Sequence, residues 1–210
     1  MATTTRPSAA ETRACLMRAA ERLFAEQGVD GARTRDITER AGQANSSALH
    51  YHFGSRAGLR RAIMDAHQER VEAALAAQLA DADASDLTSL VRAYVEAEAS
   101  ELAHDSGRDC LRIVGQVAHG TGFRDGRAHE ALAGGALWGL FTQVAVLLVA
   151  EGLPDALANE RVELMVMLVG AAFADRARHV QSGRARPVPG EAFRADLVRV
   201  VAAMLRAPGP

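Results

Sequence analysis

The chain has 210 residues and a formal net charge of −2, with 49% apolar and 24% charged residues, a globular composition that excludes a disordered chain. Aromatics make up 4% while Ala occurs 44 times, a balance that favours helices over sheets. All 24 basic residues are Arg, which excludes Schiff-base chemistry and a Lys-dependent phosphate loop. Two cysteines, Cys15 and Cys110, are too few for a disulfide framework and point to a reducing compartment. The first fourteen residues hold no apolar run, so no signal peptide is expected.

Residues 1–61 hold ten Arg against six acids, a local charge of +4, and the remainder holds fourteen against twenty, −6. A basic first third on an acidic body points to an anionic partner for that third.

The first third reads as four helices. Ser8 and Glu11 fit a capping box, Leu16, Ala20, Leu23 and Phe24 repeat at helical spacing, and Gly28 sits where a left-handed cap belongs, giving a helix over 8–27. Thr34 as N-cap, with Asp36 at the positive end of the dipole, opens a short helix over 34–41, which Gly42 ends. Asn45 and Ser46 cap a third helix running to Phe53. Gly54-Ser55 breaks and recaps, and a longer helix follows over 56–80. Two short helices with a Gly-containing turn are the spacing of a helix-turn-helix. Ile37, Ala41, Leu49 and Phe53 are expected to bury one face with Leu23 and Phe24, leaving Ser46, Ser47, His50 and Tyr51 on or near the open face.

Beyond residue 80 the pattern stays helical. Leu87, Leu90, Val91, Tyr94 and Val95 form a stripe that ends near His104, and Asp105-Ser106-Gly107 reads as a turn. A short apolar helix over 110–118 leads into a Gly-rich turn over 119–126. A long apolar helix is expected over 129–151, then helices over 155–181 and 191–206 with a Pro-containing loop between them. No strand alternation or fixed repeat occurs, so the fold is all-α with about nine helices. Residues 131–150 carry no charge and are long enough for a membrane span, but Thr142, Gln143, three Gly and many Ala make a buried helix the better reading.

Nothing points to catalysis. No nucleophile elbow, dinucleotide fingerprint or zinc-protease motif is present, and His50 and His52, two apart, diverge on a helix and cannot share a metal. No enzyme, cofactor or metal is therefore expected. Two apolar stripes remain, one of Leu164, Met165, Leu168, Ala171, Ala172 and Phe173, the other of Phe193, Leu197, Val200, Val201, Met204 and Leu205. They are too wide for one terminal helix to hide, which favours a dimer.

Three blocks stand in order: Thr12-Arg13 with Ala19-Ala20-Glu21-Arg22-Leu23-Phe24-Ala25-Glu26-Gln27-Gly28, then Thr34-Arg35-Asp36-Ile37-Thr38-Glu39-Arg40-Ala41-Gly42, then Leu49-His50-Tyr51-His52-Phe53-Gly54-Ser55-Arg56 with Leu59. Together they resemble the DNA-binding domain of the TetR family of bacterial transcriptional regulators. The resemblance implies a DNA-binding domain over 1–55 and an effector-binding and dimerisation domain over 56–210. Tyr51, His52 and Arg56 would meet phosphates. Arg35, opening the second helix beside Thr34, would pair bidentately with guanine, and Ser46, Ser47 and His50 are the other base readers. The alternative for Arg35 is a surface pair with Glu39, four residues on.

The turn Gly42–Ser47 is one residue longer than the common family form, and His50 stands where Tyr is frequent, so no operator sequence carries over. The resemblance also implies that the last two helices build a four-helix bundle with their mates. The 129–151 helix would line an effector pocket with Trp138, Phe141, Phe123, His104 and His119 as candidates. The expectation is a cytoplasmic homodimer on a palindromic operator, a repressor released by a small apolar or aromatic effector. The alternative is an all-α small-molecule-binding protein or enzyme whose helix-turn-helix does not serve gene regulation.

Overall fold

Ser8 opens the first helix with both halves of a capping box: its hydroxyl accepts from Glu11 N at 3.2 Å, and Glu11 Oε2 accepts from Ser8 N at 2.7 Å. The computed structural model describes residues 8–45, 47–117, 123–125, 134–183 and 187–209. Among them lie nine α-helices and no strand: α1 (Ala9–Gln27), α2 (Thr34–Arg40), α3 (Ser47–Phe53), α4 (Arg56–Leu79), α5 (Leu87–Ser100), α6 (Asp105–Val117), α7 (Ala136–Ala150), α8 (Asp155–Gln181) and α9 (Gly190–Leu205). Single 3-10 turns occupy Glu101–Ala103 and Phe123–Asp125. The all-α expectation holds. Contacts divide the chain into two compact units, Met1–His67 and Gln68–Pro210, so the division falls within α4.

In the first unit α1 packs against α2 and α3, which also touch each other. Leu16, Ala20, Phe24, Ile37, Leu49, Leu59 and Ile63 are fully buried there. Each large one stabilises by about 1.5–3 kcal/mol. The α2 helix ends in a Schellman motif, with Gln43 N donating to Thr38 O at 2.9 Å and Gly42 N to Glu39 O at 3.0 Å. That motif needs a left-handed residue, and Gly42 supplies it at φ 69°. Asn45 Oδ1 accepts from Ser47 N at 3.0 Å and starts α3. Ser55 Oγ accepts from Gly58 N at 3.0 Å and starts α4.

In the second unit α8 is central, packing against α5, α6, α7, α9 and the Phe123–Asp125 turn. Phe141, Val162, Met165, Val169, Phe173 and Val201 lie within one apolar core. Gly115 lets α6 approach α8 closely, since a Cβ there would stand 2.5 Å from that of Ala174.

Two expected boundaries shift. Asp105-Ser106-Gly107 is the first turn of α6, not a break. Gly107 is buried against the preceding 3-10 turn, where a Cβ would stand 2.2 Å from Glu101 O, so close approach explains this glycine. The apolar segment expected from 129 becomes helical at Ala136, after Gly134 at φ 79° and Gly135 as N-cap. Residues 129–133 lie outside the described residues. No helix among the described residues is long and apolar enough to cross a membrane.

Candidate nucleic-acid interface

In the first unit the turn after α2 and the helix α3 line an open groove of about 470 Å³, with Gln43, Asn45, Ser47, Tyr51 and His52 among its lining residues. Leu49, fully buried, fixes which face of α3 turns inward. On the other face Tyr51 is 81% exposed, too much for a packing role. His52 is half-buried, and its ring meets that of Tyr51 edge-on at 5.0 Å. Of the expected group, Ser47, His50, Tyr51 and His52 lie on α3, Thr34 and Arg35 on α2 and Arg56 on α4, while Ser46 lies outside the described residues.

His50 is exposed, but its Nδ1 donates to Gly54 O at 3.0 Å, so the ring closes the end of α3 while its other nitrogen stays available. Thr34 begins α2 half-buried and Arg35 follows it into solvent. Arg35 Nε donates to Glu39 Oε1 at 2.7 Å, the surface pair weighed from the sequence, and this pairing raises the arginine's pKa further. An exposed i,i+4 pair of this kind is weak, so a better partner can displace it. Arg56 is half-buried, its guanidinium 5.8 Å from the centroid of the Phe24 ring. Gln43 and Asn45 were missed as lining residues. Their place inside the predicted turn was the available signal.

In the second unit the expected pocket residues divide. Phe123, Trp138 and Phe141 come together, with ring centroids 4.9 Å apart for Phe123–Trp138 and 6.2 Å for Phe123–Phe141. Tyr94, a member of the helical stripe read from the sequence, joins them at 5.5 Å from Phe141. Its hydroxyl is pushed well above the ordinary tyrosine pKa by burial, then by the nearby carboxylates of Glu98 and Glu163. His104 does not join: it is exposed and ends the Glu101–Ala103 turn. His119 lies outside the described residues.

The expected pairing face divides too. Leu164 and Val200 are 40% and 48% exposed, with Met167 on α8 at 38%. Leu168, Phe193 and Met204 are half-buried. Met165, Phe173 and Val201 are fully buried within the single chain, and Leu197 nearly so. These four are a correction to the sequence reading. They pack within the single chain, because the stripes on α8 and α9 are wide enough to face inward and outward at once.

Residues 16–63 match the family model of bacterial regulatory proteins, tetR family. No curated protein matches the chain at significance. Among solved structures, a TetR-like transcriptional regulator from Rhodococcus sp. RHA1 is 20% identical, with 97% of this chain and 100% of that one covered at a TM-score of 0.59. The fatty acid degradation regulator FadR from Bacillus halodurans is 15% identical, with 98% of each chain covered and a TM-score of 0.60. Mycobacterium smegmatis AmtR is 16% identical, covering 93% of this chain and 86% of its own at 0.56. At such identities the likeness shows a common fold across nearly the whole chain.

Proposed function

We propose that the chain is a DNA-binding transcriptional regulator of the TetR family, whose family model matches residues 16–63, and that it binds a palindromic operator as a homodimer and represses until a small effector releases it. The observation that carries this reading is the exposed face of α3, where Tyr51 stands 81% open beside a groove lined by polar residues of the turn. A seven-residue helix contacts few bases, so two copies on a palindrome supply the needed specificity.

In this reading Tyr51, His52 and Arg56 hold phosphates and set the register. Arg35 leaves Glu39 for the O6 and N7 of a guanine, with Ser46, Ser47 and His50 reading neighbouring bases. Leu164 and Val200 lie between subunits, in a bundle of α8 and α9 with their mates. Phe123, Trp138, Phe141 and Tyr94 form one side of the effector site, which suits an apolar or aromatic molecule. The effector must bind the DNA-incompetent state more tightly, or the equilibrium does not move. Such a protein works in the cytoplasm, where its operator is.

The test is an anisotropy titration of the protein against the intergenic DNA upstream of its own gene, with non-specific competitor, for wild type and Arg35→Ala. Wild type should bind through competitor, and Arg35→Ala should lose about 1–3 kcal/mol of discrimination. Equal discrimination by both proteins removes Arg35 from base reading. Loss of all preference over competitor in the wild type counts against an operator in that DNA.

A further inference from the structure

The described arginines of the first unit fall into two sets. Arg18, Arg22, Arg35 and Arg40 are each paired with a carboxylate, of Glu21, Glu26, Glu39 and Glu26 in turn. Among the described residues Arg13, Arg33, Arg56, Arg60 and Arg61 have no carboxylate partner. Arg13 differs from the rest of that set in its position. It lies on α1, yet its guanidinium sits over the ring of Phe53, the last residue of α3, 5.1 Å from the centroid.

Phe53 continues a row of rings. His52 is 6.2 Å from Phe53, and Tyr51 is 5.0 Å from His52. Arg13 therefore stands at the C-terminal end of α3, on the ring that adjoins His52, one of the proposed phosphate contacts. The ring beneath it consumes none of the five N–H donors of a guanidinium. One terminal nitrogen reaches Met17 Sδ at 3.2 Å, and a thioether is a weak acceptor that a phosphate oxygen readily displaces. The side chain is exposed. A cation docked on one ring, without a counter-charge and with most donors open, is pre-organised for an anion, because little rotamer freedom remains to be lost on binding.

We propose that Arg13 is a further DNA-backbone contact, a phosphate-binding residue brought to the recognition helix from α1 by its seat on Phe53. It rests on the DNA-binding reading of the first unit. Its contribution is independent of base sequence, so it shows on any duplex and in the salt dependence of binding.

The experiment measures affinity of the full-length protein against salt, on the upstream duplex and on a mixed-sequence duplex, for wild type, Arg13→Gln, Arg13→Lys and Arg92→Gln. Arg92 is an exposed arginine of α5 in the second unit and serves as the charge control. The expected result for Arg13→Gln is a slope of log K against log salt shallower by about 1 per bound subunit, on both duplexes. Arg13→Lys keeps the slope, since the charge remains, and Arg92→Gln does not change it. A slope for Arg13→Gln equal to wild type overturns the proposal, including where its melting temperature falls, which would make Arg13 a packing residue. Equal flattening in Arg92→Gln also overturns it, as a general effect of net charge. A wild type without salt-dependent binding to either duplex overturns the underlying DNA-binding reading instead.

Discussion

Glu72 on α4 accepts the backbone N–H of Ala136, the first residue of α7, at 2.5 Å. The same carboxylate lies 3.2 and 3.3 Å from Leu137 N, through its two oxygens. The helix cannot cap itself, because its N-cap is Gly135, without a side chain. A residue 64 positions away does the capping, and adds negative charge where the helix dipole is positive. Gly135 also makes the contact possible, since a Cβ there would stand 2.3 Å from Glu72 Oε1.

Glu72→Ala should therefore destabilise the protein by about 1–2 kcal/mol, and Glu72→Gln by less, since the amide oxygen still accepts. The check is the urea midpoint of each variant, together with amide exchange at residues 136 and 137, which should accelerate in the Ala variant. Unchanged exchange at those two amides would show that the carboxylate does not hold them in solution.

Arg70 grips Glu101 with two nitrogens, Nε to Oε1 at 2.9 Å and a terminal nitrogen to Oε2 at 2.7 Å. Glu101 is 2% exposed while Arg70 remains 37% exposed, so water screens one end of the pair. Arg70→Ala should cost about 2 kcal/mol, below the 3–5 kcal/mol of a fully buried pair. Glu101→Gln combined with Arg70→Ala should recover part of that loss, because the buried group is then neutral. Denaturation of the two single variants and the double variant reads this directly. A double variant with no recovery would locate the loss in packing rather than in charge.

Alkali should expose the buried tyrosine. Tyr94 in the folded chain holds its proton above the ordinary tyrosine range, whereas in the unfolded chain it ionises near pH 10. A folded pKa raised above the unfolded one gives stability that is fully present below about pH 10 and lost as pH rises beyond it. Tyr94→Phe should show a smaller decline in urea midpoint between about pH 9 and pH 11 than wild type. Parallel declines would mean that Tyr94 meets water.

Leu164→Arg and Val200→Arg place charge on the outer faces of α8 and α9 without touching the core, since both positions are at least 40% exposed. Each should convert the proposed dimer to monomer in sedimentation while helical content stays constant. A dimer that survives both substitutions would require a different pairing face.

Local chemistry made most of the fold legible. Ser8 with Glu11, Gly42 and Ser55 are start and stop signals, and each acts within a few residues of itself. A glycine that serves a close packing contact misled. Gly107 resembles a turn signal in the sequence, yet it keeps its place in α6 because the backbone of Glu101 lies against it. The site followed the same division. Motif spacing placed Tyr51 and His52 together on α3, whereas the ring of Tyr94 against Phe141, separated by 47 positions in sequence, required the packing of α5 against α7. The stripes of α8 and α9 were found as stripes, but periodicity alone does not say which residues face inward.

Under the proposed role of Arg35, its pair with Glu39 bears on how the protein finds its site. An arginine that carries its own counter-ion interacts less with the phosphates that every sequence offers, and so shortens each stop on the wrong DNA. Guanine presents two acceptors at the spacing of the guanidinium fork, a two-point match that an exposed single-bond pair does not offer. With Arg35 as the proposed base reader, Glu39 would work as a brake on indiscriminate adhesion, speeding the scan along the genome and reserving the arginine's full grip for the correct base.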